Sequence, residues 1–221
     1  MKPPMGGPTT GATMPGHVIV AIARISLAFS VLRTTIIRPT GSVIAPPTPC
    51  SRRAAVNVIT TAGPHGRCGI TASAVCSVTD APPTLLVCIN RETRAHPIIT
   101  KRGAFGIDML SIGQRPIADH CSAAGRDKVL NPAWLAPDDM EPGHPDGTVT
   151  SPRLLDSLAH LDCSMDRSYE AFSHTIMVGL IRSVSINPRD VPPLLYHGGV
   201  YTQMETSAER AERFHWDLGG E

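Results

Sequence analysis

From Ala54 onward the chain carries its apolar residues in short runs with the spacing of β-strands. Residues 54–62 predict a first strand, Gly63 to Gly66 a hairpin turn, and 68–78 its partner. Pro82-Pro83 imposes an extended turn, and 84–90 follows as a further apolar strand. Thr93 to Lys101 predicts a short helix with Pro97 in its first turn, Ala104 to Leu110 a strand, and Gln114 to Ala124 a second short helix. Asn131 to Ser151, with Pro132, Pro137, Pro142, Pro145 and Asp138-Asp139, predicts an irregular surface excursion. After Leu154-Leu155 and Leu158, the residues Leu161, Cys163 and Met165 alternate with Asp162, Ser164 and Asp166, the period of a half-buried antiparallel strand. His174 to Ile186 is the next strand, with Gly179 marking a bulge or a close approach. Leu194 to Met204 closes the set with a bend at Gly198-Gly199, and Ala208 to Trp216 predicts a charged helical tail. Many strands with few helices between them argue for a mainly β fold, an antiparallel barrel rather than a doubly wound sheet.

Length and charge narrow the picture. A chain of 221 residues supports one domain with a real core. That domain is assigned to 51–205, with an atypical segment at 1–50 and the tail at 206–221. A net charge of +1 with 18% charged residues gives no electrostatic case for nucleic acid or an acidic membrane. Aromatic content of 4% argues against a base-stacking surface. Residues 1–50 contain no acidic side chain; the first carboxylate is Asp80. Within them Val18 to Leu32 is too short for a membrane span and lacks the flanks of a signal peptide; an Arg- and Ser-containing transit peptide fits better, and a disordered or non-family segment stays open beside it. The six cysteines form no C-x-x-C pair and are expected as reduced, buried thiols in a reducing compartment, the cytoplasm. His65 and Cys68 lack a second ligand pair, so no metal is expected.

The candidate chemistry lies in Gly69 to Asp80. Thr71, Ala72, Ser73, Ala74 and Ser77 stand where a core strand usually carries bulk, leaving room for a flat ligand against the backbone. The next strand ends in Asn90-Arg91, an amide and a guanidinium suited to carbonyl and phosphate oxygens. No Ser/His/Asp set or carboxylate pair presents itself.

Ala55-Val56-Asn57-Val58-Ile59-Thr60-Thr61, Gly63-Pro64-His65-Gly66-Arg67, the Thr71 to Val78 run and Cys88-Ile89-Asn90-Arg91 together resemble the short-chain flavin reductases. These are the reductase components of two-component flavin monooxygenases. The resemblance is near-continuous over 54–91 and recurs in pieces to about 204. It implies a split barrel that binds FMN or FAD, takes NADH or NADPH as hydride donor, forms a homodimer and serves a separate monooxygenase. By resemblance, Thr71, Ala72, Ser73, Ala74, Ser77 and Val78 line the flavin, Asn90 and Arg91 meet its ring or phosphate, and Thr93 stands where the family often has serine. His174 is the catalytic candidate, placed near the nicotinamide with Tyr196 and Tyr201. Phe172 replaces a usual glycine before this histidine, and Val200 replaces a usual Arg or Lys. His120-Cys121 replaces an aromatic, Pro46-Pro47-Thr48-Pro49 stands where a helix is usual, and Asp108 replaces an Asn. A carboxylate at 108 beside a flavin phosphate is expected to repel it. These departures keep open a flavin-binding domain without turnover, or an interaction module.

Overall fold

The computed structural model describes residues 54–64, 66–123, 128–137 and 151–203. The expectations for 1–50, His65, most of the 131–151 excursion and the 208–216 tail lie outside these residues. Ten strands and two short helices follow in order. They are β1 (Ala54–Ala55), β2 (Asn57–Gly63), β3 (Gly66–Ala72), β4 (Val75–Asp80), β5 (Pro83–Asn90), α1 (Ala95–Arg102), β6 (Ala104–Met109), α2 (Arg115–Ser122), β7 (Ala159–Ala171), β8 (His174–Ile186), β9 (Leu194–His197) and β10 (Val200–Gln203). None of the described helices is long and apolar enough to cross a membrane.

Seven strands form one antiparallel sheet in the order β3-β2-β6-β7-β8-β5-β4. Its two edge strands, β3 and β4, are consecutive in the chain and separated only by Ser73 and Ala74. Edges joined by so short a link must meet, so the sheet rolls into a barrel left open along one seam. The sequence predicted one strand over 68–78. The structure breaks it at Ser73-Ala74, because β3 pairs with β2 while β4 pairs with β5. The smaller sheet, β1-β9-β10, packs outside the barrel.

Two cores explain the burial pattern. Leu85, Val87 and Ile89 of β5 point into the barrel with Ile59, Phe105, Ile107, Leu161 and Met177. Val56, Val58, Leu110, Ile117, Leu130, Leu154 and Leu194 form a second cluster on the outer face, under α2 and the small sheet. Adjacent Val58 and Ile59 are thus both buried, each on its own side of the sheet. Gly179 marks a close approach: a Cβ there would lie 2.6 Å from Phe105 Cζ. β7 and β8 meet in a hairpin whose turn is Phe172-Ser173, with Phe172 at φ 53° and 99% exposed.

Candidate functional site

The open seam is the floor of a cavity of about 800 Å³. Thr71 and Ala72 at the end of β3, with Ser73 and Ala74 at the corner, line one side, none larger than a threonine. Cys88 and Asn90 follow on β5, whose alternation sends Leu85, Val87 and Ile89 mainly into the core. His174 stands opposite Asn90 in the β5–β8 register, which brings two polar side chains 84 positions apart to one edge of the cavity. The Arg91 amide donates to the Ser173 carbonyl at 2.9 Å, fixing the hairpin that carries His174 to the end of β5.

The hydrogen bonds show which groups remain available. Thr71 Oγ1 donates to Ala118 O at 2.8 Å, so this side chain ties β3 to α2. Thr93 Oγ1 donates to Asn90 O at 2.7 Å, and Asn90 Oδ1 accepts from the Glu92 amide at 2.9 Å. Asn90 Nδ2 is left as a donor. His174 Nδ1 lies 2.9 Å from Ser173 Oγ, leaving Nε2 for a ligand. Tyr196 and Tyr201, from β9 and β10, form an edge-to-face pair with centroids 5.3 Å apart on the cavity's other side. Burial pushes the Tyr201 phenol up against the opposing effect of a hydrogen bond to Ser122. Burial likewise raises the Cys88 thiol and pushes Cys121 up to about 12, leaving both protonated at neutral pH.

Nine of the expected residues therefore meet at one cavity: Thr71, Ala72, Ser73, Ala74, Asn90, Thr93, His174, Tyr196 and Tyr201. Three do not line it. Ser77 and Val78 lie farther along β4, where a register shift interrupts the pairing with β5 and Val78 is 52% exposed. Arg91 turns outward to Glu170, 3.1 Å away. The expectation for Asp108 is corrected outright. Its carboxylate is fully buried and does not line the cavity; Oδ1 receives the Leu154 amide, Ser157 Oγ and His160 Nδ1. His120 is likewise engaged elsewhere, with Nε2 2.9 Å from Val129 O and its ring edge-on to Trp134.

Sequence reasoning predicted the helix over 114–124 but not that it walls the cavity. Arg115, Asp119 and Ser122 of α2 line it, together with Lys128 just downstream. Their spacing of four and three residues puts the three helical positions on one face, opposite buried Ile117, Ala118 and Cys121. That polar stripe was readable on the predicted helix, but nothing in the sequence said which strand it would face.

The fold is shared with known proteins. A family model described as a flavin reductase like domain matches residues 52–205. The FMN reductase (NADH) RutF of Stutzerimonas stutzeri is 36% identical over 165 residues, covering 70% of this chain and 83% of that protein. RutF of Enterobacter sp. (strain 638) is 38% identical over 137 residues, covering 61% of this chain and 77% of that protein. Among solved structures, BorF, the flavin reductase component of a bacterial two-component tryptophan halogenase, superposes with a TM-score of 0.59 at 26% identity. That match covers 71% of this chain and 93% of BorF. A Streptomyces globisporus NADH:FAD oxidoreductase, solved with NAD and FAD fragments, gives 0.58 at 26% identity, over 71% of this chain and 88% of that one. With its model spanning the whole described barrel, this chain belongs to the flavin reductase family.

Proposed function

We propose that the protein reduces FMN or FAD with NADH or NADPH and passes the reduced flavin to a separate monooxygenase. The observation that carries this reading is the seam cavity, floored by Thr71, Ala72, Ser73 and Ala74 and edged by His174. A volume of about 800 Å³ falls within the range of roughly 300–1,000 Å³ usual for cofactor sites. Small side chains at a strand corner suit a flat ring lying against backbone. Relatives named as FMN reductase (NADH) favour FMN and NADH, while the NADH:FAD oxidoreductase keeps FAD in play.

When both partners are bound, the dihydronicotinamide supplies the hydride and the flavin accepts it. The chain's task is to hold two rings in contact and aligned, which accounts for a site without a nucleophile or carboxylate pair. Asn90 Nδ2 donates to a ring or phosphate oxygen. His174, its Nδ1 held by Ser173 Oγ, offers Nε2 to the nicotinamide carboxamide. Tyr196 and Tyr201 bound the side from which the donor arrives. Ser77, Val78 and Arg91 take part only through the strand and hairpin they belong to. Exposed Val78 and Tyr169 favour the homodimer that the family resemblance implies. The five described cysteines are free thiols, in keeping with a reducing cytoplasm.

Anaerobic addition of NADH to protein and flavin tests the activity by loss of the flavin's visible absorbance. His174→Ala is expected to leave flavin affinity nearly intact and to lower turnover by up to about tenfold, one hydrogen bond's worth. A parent protein that binds flavin without bleaching it would support the binding-only alternative instead.

A further inference from the structure

Two ligands that both carry phosphate must share this cavity, yet its strand-built side offers no cation. Arg91, the guanidinium nearest in sequence, does not line the cavity and lies 3.1 Å from Glu170 on the outside. Among the described lining residues the cations are Arg115 and Lys128, both on the α2 side. Arg115 stands over the Tyr201 ring, its guanidinium carbon 5.5 Å from the ring centroid. Tyr201 is itself set edge-to-face against Tyr196. A cation–π contact of this length keeps the guanidinium beside the ring while its N–H groups stay available to an anion. The neighbouring Asp119 carboxylate, 3.6 Å from Arg115 Nε, leaves most of those donors uncommitted, and both side chains are more than half exposed. An exposed pair of this kind holds its members weakly.

Position decides which ligand Arg115 serves. Arg115 stands on the wall it shares with Tyr201 and Tyr196, the side given above to the hydride donor, and not at the Ser73-Ala74 corner. A flavin lying against the β3–β4 corner is covered by the ligand that arrives second, and that ligand meets this wall.

We infer that Arg115 binds the diphosphate of the pyridine nucleotide and thereby sets the affinity for the hydride donor, with Tyr201 holding the guanidinium in place. This inference rests on the reductase reading above and goes beyond it in naming the anion contact. Val200 on β10 carries no charge, and of the two described lining cations, Arg115 and Lys128, Arg115 is the one in contact with Tyr201.

The test uses ADP-ribose, which carries the diphosphate but no nicotinamide, titrated calorimetrically into the flavin-loaded protein. Arg115→Ala is expected to weaken ADP-ribose at least tenfold and to raise KM for NADH in parallel, with flavin affinity within about twofold of the parent. Arg115→Lys, keeping charge without the planar fork, is expected to fall between. Added salt should weaken ADP-ribose less in Arg115→Ala than in the parent. Because the side chain is 64% exposed, the variants should melt like the parent, and a melting scan checks this. Equal ADP-ribose affinity in parent and Arg115→Ala overturns the inference, as does absence of ADP-ribose binding by the parent. Loss of flavin affinity with ADP-ribose unmoved overturns it too, by assigning Arg115 to the flavin phosphate. Arg115-dependent ADP-ribose binding by a parent that never bleaches flavin sinks the reductase reading alone.

Discussion

Asp108→Asn separates a carboxylate that repels ligand from one that holds the fold. The family resemblance placed Asp108 beside the flavin phosphate, whereas the structure buries it among Leu154, Ser157 and His160. Oδ1 receives the Leu154 amide at 3.0 Å, Ser157 Oγ at 3.0 Å and His160 Nδ1 at 3.1 Å. Oδ2 is buried without a hydrogen-bond partner among the described residues. An asparagine carbonyl keeps these contacts but loses the charge that strengthens them, roughly 1 kcal/mol per bond at most. Its NH₂ then occupies the Oδ2 position, and a buried donor without an acceptor costs about 1–3 kcal/mol. Relief from burying a carboxylate offsets part of this, so we expect a net loss of about 2 kcal/mol. For a domain of this size that is a melting point lower by about 4–8 °C. Urea unfolding and a flavin titration on the same preparation read both consequences. Flavin affinity should stay within twofold. A variant of unchanged stability that binds flavin more than threefold tighter would refute the reasoning, because the carboxylate would then be acting on the ligand.

Three further outcomes follow from the structure. Ser73→Trp places an indole in the cavity from an exposed corner position, so flavin affinity measured by fluorescence quenching should fall at least tenfold, about 1.4 kcal/mol, with the melting point retained; unchanged affinity sinks the placement. Phe172→Gly removes an αL non-glycine residue whose side chain is 99% exposed; relief of about 1–2 kcal/mol, less the extra unfolded-state freedom of glycine, should stabilise by about 0.5–1 kcal/mol in urea unfolding, and a destabilised variant contradicts this. Burial holds the Cys121 thiol at about 12 against an ordinary 9.0, so the folded state keeps its proton longer than the unfolded chain. Its contribution to stability is full below about pH 9 and is lost as pH rises toward 12, at up to about 1.4 kcal/mol per pH unit. Cys121→Ala should flatten that alkaline decline, and identical slopes in the two proteins would exclude the cause.

What was legible in the sequence was whatever a local pattern decides. The apolar run of 84–90 announces β5, and Leu161, Cys163 and Met165 announce β7 by their alternation. The break at Ser73-Ala74 carries no glycine or proline, so no local signal marks it; it exists because β3 and β4 take different partners. Asp108 was misplaced for a related reason. Its three donors lie 46, 49 and 52 residues downstream, and only the β6–β7 pairing brings them together. The site residues on one strand or its neighbour were found, and those contributed by α2 were not.

The seam explains why the site needs those small residues and that helix together. An open barrel exposes two strand edges, which other chains would pair with if nothing covered them. The first part of β3 is covered by the chain after α2, through Gly69 N to Lys128 O at 3.1 Å and Leu130 N to Arg67 O at 2.8 Å. Gly69 is what lets that cover sit so close. A Cβ there would lie 2.9 Å from Val58 Cγ1, 3.0 Å from Leu130 Cδ2 and 3.1 Å from Cys121 Sγ. The cover lies over Arg67 to Gly69, and from Thr71 to Ala74 the strand faces the cavity instead. The segment that protects the edge also brings Lys128 to the cavity wall, next to the α2 face that carries Arg115. A Cβ at 69 would crowd Val58, Leu130 and Cys121, and so press on the covering segment that carries Lys128 and on the helix that carries Arg115. Loss of nucleotide affinity in such a variant, before any loss of the barrel's core, is the consequence that ties the fold to the site.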